Sequence, residues 1–152
     1  MCKKFLVLFL LALSASAVRA QTVAYVANNI DGTVEVLNAS TNTKTVTIGG
    51  FNHPADLAVS PDGRLLYVFD TGNSQISVVN TATNTVTATI AANLGVSNEG
   101  MGPKIAFNPN GKVAYFAATQ PSTLVVINTA TSSVAQTVSL PSGFYPVAVA
   151  AH

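Results

Sequence analysis

Asn80-Thr81-Ala82-Thr83-Asn84 is a polar pentapeptide near the middle of a 152-residue chain. It has two near-copies, Asn38-Ala39-Ser40-Thr41-Asn42 and Asn128-Thr129-Ala130-Thr131-Ser132. From Asn38 to Asn80 is 42 residues and from Asn80 to Asn128 is 48. Tyr25, Tyr67 and Tyr115, which open "YVANN", "YVFDT" and "YFAAT", keep the same two steps. Ser60-Pro61-Asp62-Gly63 returns 48 residues later as Asn108-Pro109-Asn110-Gly111. A period of this length marks a repeat architecture. The six extra residues of the second step fit within "AANLGVSNEGMG", residues 91–102, whose turn residues predict a loop.

Inside each repeat the short period is two. "TVEVLN" (Thr33–Asn38), "QISVVN" (Gln75–Asn80) and "TLVVIN" (Thr123–Asn128) place Val34/Val36, Ile76/Val78 and Leu124/Val126 on one face, with Glu35, Ser77 and Val125 on the other. The next strand is expected at Thr43–Ile48, Thr85–Ile90 and Val134–Leu140. The pentapeptide between them is therefore a hairpin turn, whose Asn and Thr side chains bond nearby backbone groups. Another strand is expected at Asp56–Val59, Lys104–Phe107 and Val147–Ala150, and a fourth at Leu65–Phe69 and Val113–Ala117 after the Pro-Asp-Gly or Pro-Asn-Gly turn. Four short antiparallel strands in 42 to 48 residues match a propeller blade, which uses about 40–45. No sustained period of 3.6 predicts a helix in the mature chain.

Met1-Cys2-Lys3-Lys4, the apolar run Phe5–Leu13 and the small residues ending at Ala20 have the three-part pattern of a signal peptide. Residues 1–20 are read as that peptide and 21–152 as the repeat domain, with repeats at approximately 24–65, 66–113 and 114–152. The apolar run is too short to span a membrane comfortably, so no span is expected after cleavage. Cleavage removes Lys3, Lys4, Arg19 and the single cysteine. Four basic residues then face six acidic ones, a net −2 that offers no basic patch to nucleic acid. A mature chain without thiols must be held by packing.

Tyr25-Val26-Ala27-Asn28, Gln75–Asn80, Thr81–Val86 and Pro54–Gly63 resemble the strands and turns of the YVTN-type β-propeller repeat. The resemblance covers nearly all of residues 22–152 and implies an all-β fold of four-stranded antiparallel blades. It also implies an exported or cell-surface protein, related to lactonase-like and quinoprotein-like propellers. About three blades fit, a partial or half propeller, whereas propellers typically have 4–8. Lettered a to d from axis to rim, the strands run b-c-d, a-b-c-d, a-b-c-d, a. That phase suits either a fragment of a longer propeller or a homodimer completing a six-blade ring.

Motifs of chemistry are sparse. Asp70-Thr71-Gly72 copies an aspartic-protease signature once, where two carboxylates are needed. As the end of a b strand, Asp70 aligns with Asn28 and Ala118. His53 and His152 occupy unrelated repeat positions, and neither has a metal-ligand neighbour at suitable spacing. Asp56 and Glu99 lie near inner strands and could border a central channel. Asp31-Gly32 is a turn dipeptide; Ser60 and Ser14 lack a nucleophile context; Asn38-Ala39-Ser40 is a glycosylation sequon. The expected inner-strand residues Leu57, Val59, Ile105, Phe107, Val147 and Val149 are apolar, which weakens an enzyme reading. No catalytic, metal or cofactor-binding residue and no cofactor is assigned, and the ligand is unknown. The expected function is an exported, non-catalytic module that binds a protein or small molecule, or serves as a scaffold, at or outside the cell surface. The alternatives are a partial or vestigial lactonase-like or quinoprotein-like enzyme and a surface-coat component.

Overall fold

The computed structural model describes residues 22–91, 104–119, 121–144, 146 and 148–152. Eleven strands form three antiparallel sheets among them, and no described residue is helical. The first blade is β1 (Val23–Asn28), β2 (Thr33–Asn38) and β3 (Thr43–Ile48). The second is β4 (Pro54–Val59), β5 (Leu65–Asp70), β6 (Gln75–Asn80) and β7 (Thr85–Ala91). The third is β8 (Lys104–Phe107), β9 (Val113–Thr119), β10 (Ser122–Asn128) and β11 (Ser133–Ser139). Each sheet is a simple meander in chain order. β4 lies against both β1 and β8, so these three are the inner edges; β7 lies against β11 nearer the rim. This is the expected partial propeller of three blades, the first with three strands.

The repeated pentapeptide is the turn between the two outer strands. Asn38 Oδ1 accepts from the backbone N–H of Ser40 and Thr41 at 2.8 and 3.2 Å. Asn80 does the same for Ala82 and Thr83, and Asn128 for Ala130 and Thr131. Asn42, Asn84 and Ser132 close the turns in the left-handed region, at φ 53, 55 and 48°. Asn tolerates that region better than most residues, because its short amide can bond locally. In blades 2 and 3 the turns between the first two strands, Ser60-Pro61-Asp62-Gly63 and Asn108-Pro109-Asn110-Gly111, fold alike. Gly63 and Gly111 N–H donate to Ser60 and Asn108 C=O at 2.8 and 2.9 Å. Thr81 and Thr129 hydroxyls then donate to the Gly63 and Gly111 carbonyls at 2.7 and 2.6 Å, tying the two turn types together at one end of the blade.

The core is two interfaces between blades. Val34, Val36, Ile48 and Phe51 of blade 1 pack with Leu66, Val68 and Val79 of blade 2. Tyr67, Phe69, Ile76, Val78 and Ile90 of blade 2 pack with Ile105, Ala114, Phe116, Ala118, Val125 and Ile127 of blade 3. Successive strand residues point to opposite faces, so blade 2 divides its apolar residues between two neighbours. Burying each such side chain contributes about 1.5–3 kcal/mol. Blade 2 is therefore apolar on both faces, whereas blades 1 and 3 each bury one.

On β10 the buried residues are Thr123, Val125 and Ile127. Leu124 and Val126 keep the face that Ile76 and Val78 use in blade 2; in blade 3 no described sheet lies there to cover it. The expected strand at Val147–Ala150 is also absent from its described part, because residues 148–150 form no strand. A strand needs a partner ladder, and in one three-blade chain its counterpart, β1, lies at the far end. Most of the expected 91–102 loop lies outside the described residues.

Tyr67 is fully buried, 4.8 Å centroid to centroid from Phe107 in an edge-on contact. Its hydroxyl has no hydrogen-bond partner. Burial raises its pKa; the nearby Ser132 side chain opposes this, without a hydrogen bond of ordinary geometry. An unpaired buried polar group costs about 1–3 kcal/mol. Tyr67→Phe should therefore keep or raise the melting temperature, by up to a few degrees; a fall in thermal denaturation would show that the hydroxyl is satisfied in solution.

Candidate functional site

The β1–β2 turn of blade 1 and the β5–β6 turn of blade 2 share one end with the connection between the blades, opposite the pentapeptides. Between blades 1 and 2 this end carries a run of amides. Asn28 Nδ2 donates to Asp31 Oδ2 at 2.6 Å. In the next repeat the types are exchanged: Asn73 Nδ2 donates to Asp70 Oδ2 at 3.1 Å. Asn52 Nδ2 donates to Asn73 Oδ1 at 3.1 Å, joining the interblade connection to the blade 2 turn. Thr71 N–H and Oγ1 both donate to the His53 carbonyl, at 3.2 and 2.8 Å. His53 Nδ1 sits 3.2 Å from Asn29 C=O, and Asn29 Nδ2 donates to Pro54 C=O at 3.4 Å. Gly32, at φ 65°, brings its backbone so close to the Phe51 carbonyl that a Cβ would collide with it.

Asp70 is 0% exposed, and its Oδ1 has no partner. A fully buried carboxylate cannot meet a second one across a dimer, so the Asp70-Thr71-Gly72 motif is a turn and no protease dyad. Asp56 bridges inner strands: its Oδ2 accepts from Ile105 N–H at 2.7 Å, and Lys104 Nζ lies 3.9 Å from Oδ1. Burial raises the Asp56 carboxyl above its ordinary pKa; the Ile105 N–H and the Lys104 charge oppose this. Ser60 is buried, with its hydroxyl donating to Asp62 and accepting from Leu65 N–H, so it is a turn residue. The sequon residue Asn38 serves its hairpin. His53 and His152 are exposed. Glu99 and Ser14 lie outside the described residues. Among the described residues no group of three or more His, Cys, Asp or Glu side chains could hold a metal ion.

Sequence reasoning did not single out Asn29, Asn52 and Asn73. The signal was present in the exchange of Asn28/Asp31 for Asp70/Asn73 at one repeat's spacing. The opposite end of the blade 1–blade 2 interface also differs from its counterpart. It holds an open groove of about 420 Å³ lined by Val23, Tyr25, Val36, Thr45, Val46, Gly63, Thr81 and Asn84. Between blades 2 and 3 the Tyr67–Phe107 contact fills the equivalent region; the residue at Phe107's station in blade 2 is the smaller Val59.

These features belong to a β-propeller. The sequence matches the family Lactonase, 7-bladed beta-propeller, over residues 15–150, and the chain belongs to that family. Among solved structures it is similar to the Kuenenia stuttgartiensis hydrazine synthase, at 25% identity and TM-score 0.71, over 83% of this chain and 34% of that one. It is also similar to the dihydro-heme d1 dehydrogenase NirN in complex with DHE, at 18% identity and TM-score 0.67, over 86% of this chain and 28% of that one. A third is U3-55K, at 17% identity and TM-score 0.68, over 85% and 39%. The last two likenesses show the fold alone. This chain spans 28 to 39% of the length of these three structures. No curated protein sequence matches it.

Because the folded Asp56 carboxyl is raised, its charged form is disfavoured in the fold. That penalty is present above the folded pKa and is lost as pH falls through it toward the unfolded value of about 4. Asp56→Asn keeps an acceptor for Ile105 N–H. Its melting temperature should exceed the parent's at neutral pH, with the gap closing as pH falls through that window. Denaturation scans against pH check this; a gap that widens on acidification would contradict it.

Proposed function

We propose that this chain is a section of an exported, non-catalytic propeller that binds or scaffolds at or outside the cell surface, with blades of the YVTN type. The observation that supports this is the use of its acids. Glu35 accepts from Thr47 and pairs with Lys44; Asp31 holds Asn28; Asp56 holds Ile105; Asp62 holds Ser60; Asp70 holds Asn73. General acid–base catalysis needs such groups to converge on one reacting atom. Here each described Asp or Glu is tied to a residue of its own turn or of a neighbouring strand instead. The groove between blades 1 and 2, with valine walls and Tyr25, Thr81 and Asn84 beside them, is the place we assign to a small ligand.

A lactonase-like enzyme is the second reading, favoured by the family match and by the partnerless Asp70 Oδ1. Proton release from δ-valerolactone separates the two. The binding reading expects the purified protein to leave hydrolysis at the buffer rate. Acceleration by the parent that Asp70→Asn abolishes, with folding intact by circular dichroism, would overturn it in favour of the enzyme.

A further inference from the structure

Asn110-Gly111 is the single Asn-Gly pair in the chain. It sits at the tip of the β8–β9 turn, where Asn110 is exposed. Glycine leaves the backbone nitrogen that follows the asparagine unshielded, because it has no Cβ. Two hydrogen bonds act on this pair in opposite senses. Asn110 Oδ1 accepts from Lys112 N–H at 2.9 Å, which draws charge from the amide carbon Cγ and makes it a better electrophile. Gly111 N–H donates to Asn108 C=O at 2.9 Å, which keeps that nitrogen from acting as a nucleophile while the turn is closed.

The matching turn of blade 2 already carries an acid at this station. Asp62 stands 48 residues before Asn110, and Arg64 the same distance before Lys112. Asp62 Oδ1 accepts from Ser60 Oγ at 2.6 Å and from Arg64 N–H at 3.1 Å, the second being the counterpart of the Asn110–Lys112 bond. Arg64 Nε lies 3.9 Å from Asp62 Oδ2. The Ser60 hydroxyl and the Arg64 N–H hold the Asp62 carboxyl below its ordinary pKa. In blade 3 Asn108 takes Ser60's place and brings amide N–H donors where Ser60 brings a hydroxyl. Lys112 has no ion pair among the described residues, so its charge is available to an acid at position 110.

We propose that Asn110 is a spontaneous modification site, that it deamidates in the folded protein, and that the fold accepts the aspartyl product as a second turn of the Asp62 type. The Gly111 nitrogen, once it has left Asn108 C=O and lost its proton to base, attacks Asn110 Cγ. The N–Cγ bond forms, the Cγ–Nδ2 bond breaks, and Nδ2 leaves as ammonia with a proton from water. Water then opens the five-membered succinimide at one of its two carbonyls. Opening at Cγ restores the main chain and leaves a side-chain carboxylate beside Lys112. Opening at the main-chain carbonyl of Asn110 routes the chain through Cγ and lengthens it by one carbon. The turn resists that isoaspartyl product. Gly111 N–H is bonded to Asn108, Gly111 C=O accepts from Thr129 Oγ1 at 2.6 Å, and the Pro61 ring of the blade 2 turn stands 3.5 Å from where a Gly111 Cβ would be.

The purified protein is incubated at neutral and at alkaline pH, and its peptides are mapped by mass spectrometry with fragmentation that separates aspartate from isoaspartate. Asn110 should convert before any other asparagine, and faster at alkaline pH. Its rate should lie about ten- to a hundredfold below that of the same chain held in denaturant, because the turn must open but the whole fold need not. Asn110→Gln, whose longer side chain cannot form the five-membered ring, should age without change at this position. Asn110→Asp should melt at the parent's temperature, whereas aged protein enriched in isoaspartate should melt lower. An Asn110 that stays intact in the folded chain while the denatured chain converts would overturn the proposal, as would earlier conversion of another asparagine. An Asn110→Asp variant that melts well below the parent would overturn the claim that the turn accepts the acid.

Discussion

A blade in this protein is held by what lies on its two faces. Each four-stranded sheet is two-sided and apolar along alternate residues, and a single sheet cannot shield both sides itself. The Val34/Val36 face of blade 1 needs Leu66, Val68 and Val79; the Tyr67/Ile76/Val78 face of blade 2 needs Phe116, Val125 and Ile127. Removing one blade would expose two apolar faces, so the interfaces and the sheets stand or fall together. Blade 2 is the best sealed because it alone has a neighbour on each side. The polar turn groups follow from this arrangement and gather at the two ends of the sheets, while Ser77 and Thr123 are buried within strands.

At those ends the amide-rich turns act as fasteners between segments that the sheets only bring close. The pentapeptide caps its own hairpin through Asn38, Asn80 and Asn128. The Thr81 and Thr129 hydroxyls add a bond to the neighbouring turn within the blade. At the other end, Asn52, His53, Thr71 and Asn73 clamp the interblade connection onto blade 2. Low charge suits this design, because neutral amides and hydroxyls can be packed at close range without the desolvation that carboxylates incur. Fully buried Asp70 and half-buried Asp56 are the exceptions: Asp70 accepts from Asn73 in its own turn, and Asp56 from Ile105 of the next blade.

Much of the fold is legible in the sequence. Thr33–Asn38, Gln75–Asn80, Thr43–Ile48 and Lys104–Phe107 are strands to the residue, because period-two patterning and turn chemistry act over a few positions. Which face of a strand is buried is a property of the neighbour: Leu124 and Val126 carry the pattern of Ile76 and Val78, yet among the described residues no blade lies over them. The strand expected at Val147–Ala150 is not formed at the described residues 148–150, since its ladder needs a partner the local sequence cannot supply. The amide clamp was only partly readable. Asp70 looked like a turn residue, and it is one, but its complete burial depends on blade 1 standing beside it.

Native-state hydrogen exchange tests most directly the claim that stability resides in blade-to-blade packing. The account predicts the slowest amide exchange in β5 and β6, at Leu66, Val68, Ile76 and Val78, with protection falling toward β3 and β11. Amides of blade 1 or blade 3 that outlast those of blade 2, or three blades that exchange at equal rates as independent units, would contradict it.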